Sequence, residues 1–246
     1  MRRIPLLLIL TIIFYLGCNI SISGTIRIAT LNWEPYVGED LKEEGFLAHI
    51  TREAFKRAGY KIEFLYRPWK RAVVKAEEGD FDGYFPAYFS KERMEKSYFT
   101  DKIISGPMGF FKLKYRNITY KKIEDLKPYR IGIVRGYVNT KEFDNADYIR
   151  KEAVVGDETN FRKLLMKRID LAIADKFVGY SIINRNPKMK GKINFLNPPL
   201  KDLKLYICIS KNTTSAQKKL KAFNKGLKEI IKDGTFKRIL VYHNIN

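Results

Sequence analysis

The chain has 246 residues, enough to bury a real core in one large domain or in two lobes. An apolar content of 45%, with 16 Phe and 15 Tyr, excludes a disordered chain. The formal charge of +20 invites a nucleic-acid reading, yet the 47 Lys and Arg are scattered among 27 carboxylates instead of forming a block, and an export signal precedes them. Nucleic acid is therefore not expected as a partner. A basic body beside an anionic envelope, or steering of anionic ligands, accounts for the charge more simply.

Arg2 and Arg3 followed by the apolar run Ile4 to Leu16 form a stretch too short to span a membrane, placed where a signal peptide sits; residues 1–23 are assigned to it. Two cleavage readings stand open. Tyr15-Leu16-Gly17-Cys18 resembles a lipoprotein box that makes Cys18 a lipidated first residue, and Ser21-Ile22-Ser23-Gly24 offers an ordinary small-x-small site. Either way the protein is expected outside the cytoplasm, periplasmic or lipid-anchored, with the membrane reached only through that anchor. Cys208 then remains alone in the folded body, so no intramolecular disulfide is available.

Thr25 to Leu31 reads as the first strand, ending in the aromatic turn Asn32-Trp33-Glu34-Pro35-Tyr36. Gly45 to Ala58 carries apolar residues at helical spacing, with Gly59 suited to its C-terminal cap. His49, beside that stripe, is assigned no role. Lys61 to Tyr66 is a second strand, and Pro68 opens a helix with Trp69, Ala72, Val73 and Ala76 inside. Gly79 to Asp101 gives a turn, a buried strand of about five residues, and a polar helical turn bearing Arg93. Pro86, Ala87, Tyr88 and Phe89 fall just past that strand's end, where parallel sheets place binding residues. The first hundred residues thus alternate β-α-β-α-β.

Gly109 to Lys114 is extended and reads as a connector. A second alternating block begins at Asp125: a strand at Arg130 to Val134, a tight turn at Arg135-Gly136-Tyr137, and a helix near Asn139. A strand at Ala153 to Val155 precedes a helix capped by Asp157 or Thr159, and a buried strand at Ile169 to Ala174 ends in Asp175. Asp82-Gly-Tyr and Asp170-Leu-Ala take matching places in the two blocks, a weak internal repeat. Leu203 to Ser210 is a returning strand, and an amphipathic helix runs from Ala216 to about Ile231.

No nucleophile elbow, Cys-x-x-Cys, zinc-binding His pair or phosphate loop is present, so neither a catalytic residue, nor a metal, nor a cofactor is assigned. Glu34 with Asp175 is the one carboxylate pair left open for acid/base work, and no spacing points to it. A binding site is the better reading: Arg93, Asp175, Trp33 and Trp69 all fall at element ends, and opposite charges with aromatic faces suit a zwitterion.

Five segments in order resemble the extracellular solute-binding proteins of the polar amino-acid uptake type, family 3: G-F-L-A-H-I (45–50), G-D-F-D-G (79–83) with K-E-R and S-Y-F-T-D (97–101), D-L-K-P-Y-R-I-G-I-V-R-G (125–136), R-I-D-L-A-I-A-D (168–175) and K-D-G-T (232–235). The resemblance implies an α/β, two-lobed periplasmic-binding-protein fold, each lobe a mostly parallel sheet flanked by helices, joined by two hinge strands. Residues 25–112 and 206–246 would form one lobe and 113–205 the other. It implies capture of a small amino-acid-like ligand by lobe closure, with an ABC permease and ATPase as partners. Arg93 would hold the ligand carboxylate and Asp175 its ammonium; Trp33 and Trp69 would flank its side chain, and Ala87, Tyr88, Gly136 and Tyr137 would complete the pocket. The chain departs from the family pattern at Pro86 to Phe89 and at Tyr137-Val138, where hydroxyl-bearing residues are usual, which implies a more aromatic pocket. A sensory receptor, a dehydratase or lyase on the same lobes, and an envelope protein that has lost its ligand are the alternatives.

Overall fold

The computed structural model describes residues 24–245, so the signal peptide and the expected lipidation at Cys18 lie outside the described residues. The first block follows the expected alternation: β1 (Gly24–Thr30), α1 (Phe46–Arg57), β2 (Tyr60–Tyr66), α2 (Trp69–Glu78), β3 (Gly83–Tyr88), α3 (Lys91–Lys96) and β4 (Ser97–Phe99). β5 (Ile104–Leu113) leads into the second block: β6 (Arg130–Val134), α4 (Lys141–Asp144), β7 (Arg150–Val154), α5 (Asp157–Leu165), β8 (Leu171–Asp175), α6 (Lys176–Arg185) and β9 (Ile193–Phe195). β10 (Lys201–Ser210), α7 (Ala216–Lys232) and α8 (Thr235–Tyr242) close the chain.

The sheet runs β2-β1-β3-β10-β5-β8-β6-β7. β1 pairs in parallel with β2 and β3, and β6 in parallel with β7 and β8, so each block has its own parallel core. β5 and β10 lie between them, antiparallel to each other. Each changes partner along its length: β10 leaves β5 for β3 at Leu205, and β5 leaves β10 for β8 at Met108. Gly109 to Lys114 is extended as expected, and its residues up to Leu113 are the second half of the ten-residue strand that leads from the first block into the second. Its run of Gly109, Phe110 and Phe111 is apolar because both sides are covered.

The internal repeat has a structural cause. Asp82 Oδ2 accepts the Arg27 backbone N–H at 2.7 Å, and the Asp82 N–H donates back to the Arg27 carbonyl. Asp170 Oδ2 accepts the Arg130 N–H at 2.9 Å, with the same return bond to the Arg130 carbonyl. Each aspartate thus ties its own strand to the first strand of its block. Both are held below the usual carboxylate range despite burial, by these bonds and by a cation, Lys219 on Asp82 and Arg130 on Asp170.

Three local readings change. β3 extends through Ala87 and Tyr88, because β10 pairs with them antiparallel (Tyr206 with Ala87, Leu205 with Tyr88); they lie in the strand and not past its end. α5 is capped by Gly156, which offers no side chain, and neither Asp157 nor Thr159 caps it. After Gly234 the chain forms α8 instead of simply ending, and its tail returns to α1: His49 Nδ1 lies 3.2 Å from His243 Nε2.

α7 packs directly on α1, with Phe223 and Phe55 rings 5.1 Å apart. Gly226 allows this approach, since a Cβ there would lie 1.8 Å from the Ala54 carbonyl oxygen. Gly226→Ala gains about 1 kcal/mol of helix propensity but forces two backbones apart, an overpacking cost of about 3 kcal/mol. Overpacking wins. The variant is expected to lose about 2 kcal/mol in urea unfolding, and a more stable variant would show that the helices separate freely.

Among the described residues, no helix is long and apolar enough to cross a membrane, and no group of three or more His, Cys, Asp or Glu is placed to hold a metal.

Candidate functional site

The C-terminal ends of the parallel strands of both blocks converge on one cleft, as open α/β sheets bring their binding loops together. The turn after β1 supplies Trp33 and Tyr36, the start of α2 Trp69, the end of β3 Tyr88, and α3 Arg93. From the other side come Gly136 and Tyr137 after β6, Asp157 at the start of α5, and Asp175 between β8 and α6. A cavity of about 570 Å³ runs between the blocks, walled by Trp33, Trp69 and Tyr137 among others. A much smaller hollow of about 20 Å³ continues inward past Tyr88 to Arg93.

Arg93 is positioned by a local cap: the Ser90 hydroxyl accepts the Arg93 N–H at 3.1 Å and starts α3 there. The side chain is buried, and its guanidinium donates to the Tyr88 carbonyl at 2.9 Å and to the Gly136 carbonyl at 3.0 Å. It also lies 5.4 Å from the Trp69 ring centroid. The Trp69 indole N–H donates to the same Gly136 carbonyl at 3.1 Å. One backbone oxygen of the second block is thus gripped by two side chains of the first. Among the described residues no carboxylate pairs with Arg93, and three of its five N–H donors remain unused.

Asp175 is buried and accepts four hydrogen bonds. Oδ1 caps α6, accepting the Phe177 and Val178 N–H groups at 2.9 and 3.3 Å. Oδ2 accepts the hydroxyls of Tyr36 at 3.1 Å and Tyr88 at 3.3 Å, both reaching across from the first block. Gly106 on β5 leaves room for this contact, since a Cβ there would sit 2.2 Å from Oδ2. Burial pushes the Asp175 carboxyl up to about 6, against the pull of its four donors. Burial and the nearby carboxylate hold both tyrosine hydroxyls protonated, as donors. Arg93 and Asp175 line one cleft but do not touch each other; each is bonded to the protein.

The remaining residues divide. Trp33 stacks on Tyr36 at 4.8 Å, and Tyr88 meets its edge at 5.9 Å. Trp69 meets Tyr137 edge-on at 6.2 Å. Ala87 faces a small core with Trp69, Tyr84 and Cys208 and lines neither cavity; burial pushes the Cys208 thiol up to about 12. Glu34 is ion-paired with Arg185 across the cleft mouth, and Asp175 is bonded to Tyr36, Tyr88 and the start of α6, so each of these two carboxylates is engaged by other groups of the protein.

Asp157 is the residue sequence reasoning placed in the wrong role. It is buried at 7% exposure on the cleft wall and accepts the Tyr137 hydroxyl at 3.0 Å, with no cationic side chain paired to it among the described residues. Burial, with the Asp175 charge nearby, pushes it up to about 7. The Trp33 indole N–H sits close enough to favour the charged form, yet makes no hydrogen bond of good geometry and is left unpartnered. The sequence signal was an aspartate at a helix start with no need to cap it, which cannot be told from a cap without the fold.

The fold is shared with known structures. An ancestral arginine-binding protein bound to arginine matches with a TM-score of 0.78 at 22% identity, over 90% of this chain and 98% of that one. A histidine kinase sensor domain with similarity to periplasmic binding proteins matches with a TM-score of 0.79 at 18% identity, over 89% of this chain and 95% of that one. The GluR0 ligand-binding core from Nostoc punctiforme, in complex with L-glutamate, matches with a TM-score of 0.74 at 17% identity, over 90% and 100%. No curated protein sequence matches the chain. The model of one family matches residues 26–243, nearly all that the structure describes, and with the two-block sheet and its interblock cleft it shows that the chain belongs to the bacterial extracellular solute-binding proteins, family 3.

Proposed function

We propose that this solute-binding protein captures a small amino-acid-like ligand between its two blocks and delivers it to an ABC permease and ATPase in the envelope. Residues 25–112 with 206–246 would act as one lobe and 113–205 as the other, closing about β5 and β10. The observation that carries the reading is Arg93: a buried guanidinium with unused donors and no acid partner among the described residues, at the inner end of an aromatic cleft. A ligand carboxylate supplies the missing counter-charge in bidentate geometry. Asp175 receives the ligand ammonium, which replaces tyrosine bonds that at 3.1 and 3.3 Å are long for hydroxyl donors to a carboxylate. Trp33, Trp69, Tyr88 and Tyr137 cover the apolar part, while Ala87 and Gly136 shape the backbone around Arg93. No catalytic residue is proposed. The arginine-, glutamine- and glutamate-bound neighbours make amino acids the first compounds to try.

A ligand that binds only the native state raises the unfolding midpoint, by about 2.7 kcal/mol of stability at a hundred times its Kd. A thermal-shift series with amino acids, small peptides, polyamines and aromatic acids is expected to respond to an amino acid in a concentration-dependent way. A response to polyamines or aromatic acids alone would remove the amino-acid ligand and keep the receptor.

A further inference from the structure

The chain has two histidines, His49 and His243, and the fold brings them together across 194 positions. His49 sits in the first turn of α1, and His243 caps the end of α8. His49 Nδ1 and His243 Nε2 are 3.2 Å apart, with the ring planes at 74°. Tyr242 meets both rings edge-on, at 5.7 and 5.1 Å, and holds them in place. Both histidines are partly exposed, and neither lines the interblock cleft. Neither ring makes another hydrogen bond among the described residues.

On their own, one neutral ring donates its N–H to the lone pair of the other. The same separation suits two ligands of one metal ion. Imidazoles bound to zinc at about 2.0–2.1 Å in a tetrahedron hold their nitrogens about 3.3–3.4 Å apart. Reaching that arrangement takes about 0.1–0.2 Å of separation, a tilt that turns both lone pairs to one point, and a proton moved to the donor ring's other nitrogen. A metal-binding imidazole must be neutral, and burial lowers both rings from a value already below 7. The charges around them are mixed: Glu43 acts on both rings and Glu53 on His49, against Lys42, Arg52 and Lys56. The Lys42 ammonium lies over the Tyr242 ring, 3.5 Å from its centroid. No third His, Cys, Asp or Glu joins the pair among the described residues, so water would fill the other positions of an ion there.

We propose that His49 and His243 form a two-histidine site for a divalent transition metal of the kind imidazole favours, such as zinc, nickel or copper, which clips the end of α8 to α1. α8 has little else to hold it, since Ile239 is its one buried residue. The clip joins α1 to the last helix of the chain and touches no residue of the cleft, so it stands independently of the receptor reading.

Thermal unfolding and calorimetric titration with zinc and with magnesium test the site, on the chain carrying no histidine tag. Zinc is expected to raise the unfolding midpoint with concentration, and magnesium, which takes oxygen ligands, to leave it unchanged. His49→Gln and His243→Gln are each expected to weaken zinc binding at least about tenfold. The double variant should lose no more than either single one, because removing one ligand already breaks the chelate. No zinc response in the unmodified protein overturns the site. So does an undiminished response in either variant, which would place the ion elsewhere, and so do losses that add in the double variant, which would mean two separate ions. With two histidines in the chain, their ring C–H signals in proton NMR should both move when zinc is added to the unmodified protein. A zinc response that leaves either ring unmoved overturns the site even if no variant folds.

Discussion

Replacing Arg93 with alanine is expected to weaken ligand binding at least about tenfold and to lower the melting temperature even without ligand. The affinity loss follows from one charge-assisted contact to a ligand carboxylate, about 1.5–3 kcal/mol when desolvated. The stability loss has a separate origin. Arg93 ties the Tyr88 carbonyl of its own block to the Gly136 carbonyl of the other, and alanine leaves the first without that donor and the second with Trp69 alone. Lysine at 93 is expected to recover little, because a point charge cannot span both carbonyls as the guanidinium does from its place over the Trp69 ring. Titration calorimetry on both variants reads the first effect and thermal unfolding without ligand the second. An alanine variant that binds a verified ligand as tightly as the parent removes Arg93 from the site, whatever its melting temperature.

Asp157→Asn is expected to do the opposite to stability: at pH 8 without ligand it melts about 5–10 °C higher than the parent. Burial holds the Asp157 carboxyl at about 7 and Asp175 at about 6 in the folded protein, both above the ordinary 3.8. Between about pH 4 and 7 the native state therefore keeps protons the unfolded chain has released. The stability tied to these groups is complete below the unfolded value and is lost as pH rises through the folded ones. At pH 8 the parent carries a buried charge at Asp157 with no cationic side chain paired to it among the described residues, a burden of about 2–4 kcal/mol that the amide does not have. His49 and His243 act in the other direction, since burial lowers both, but each is only partly buried and their effect is smaller. The parent should accordingly lose stability from pH 5 to pH 8, and the variant should show a flatter profile. An Asn variant that melts lower than the parent at pH 8 would mean that the Asp157 charge already has a partner in the protein.

Much of this architecture was legible because it is local. Helix periods, the Pro68 start, the Gly79 stop and the short apolar strands are each set by a few neighbouring residues, and their alternation points to parallel sheets. The Asp82 and Asp170 repeat was visible for the same reason, although its function of pinning Arg27 and Arg130 was not. β5 was half missed because Gly109 to Lys114 is only the second part of a strand whose first part, beginning at Ile104 and carrying Gly106 and Pro107, has weak strand propensity. Its pairing with β10 and β8 decides its conformation. α8 was missed because Gly234 looks like an end and serves as a cap between two helices.

The sequence by itself determined the order of elements, the family pattern and the presence of an arginine and an aspartate at element ends, since all of these depend on residues close together in the chain. Only the tertiary structure decided which charges have partners. Asp175 is satisfied by Tyr36, 139 positions away, and by Tyr88, 87 positions away, while Asp157, which looked like a helix cap, faces the cleft with no cation paired to it among the described residues. Counter-charges in a cleft between two blocks come from segments that meet only on folding, and no local pattern records which will meet.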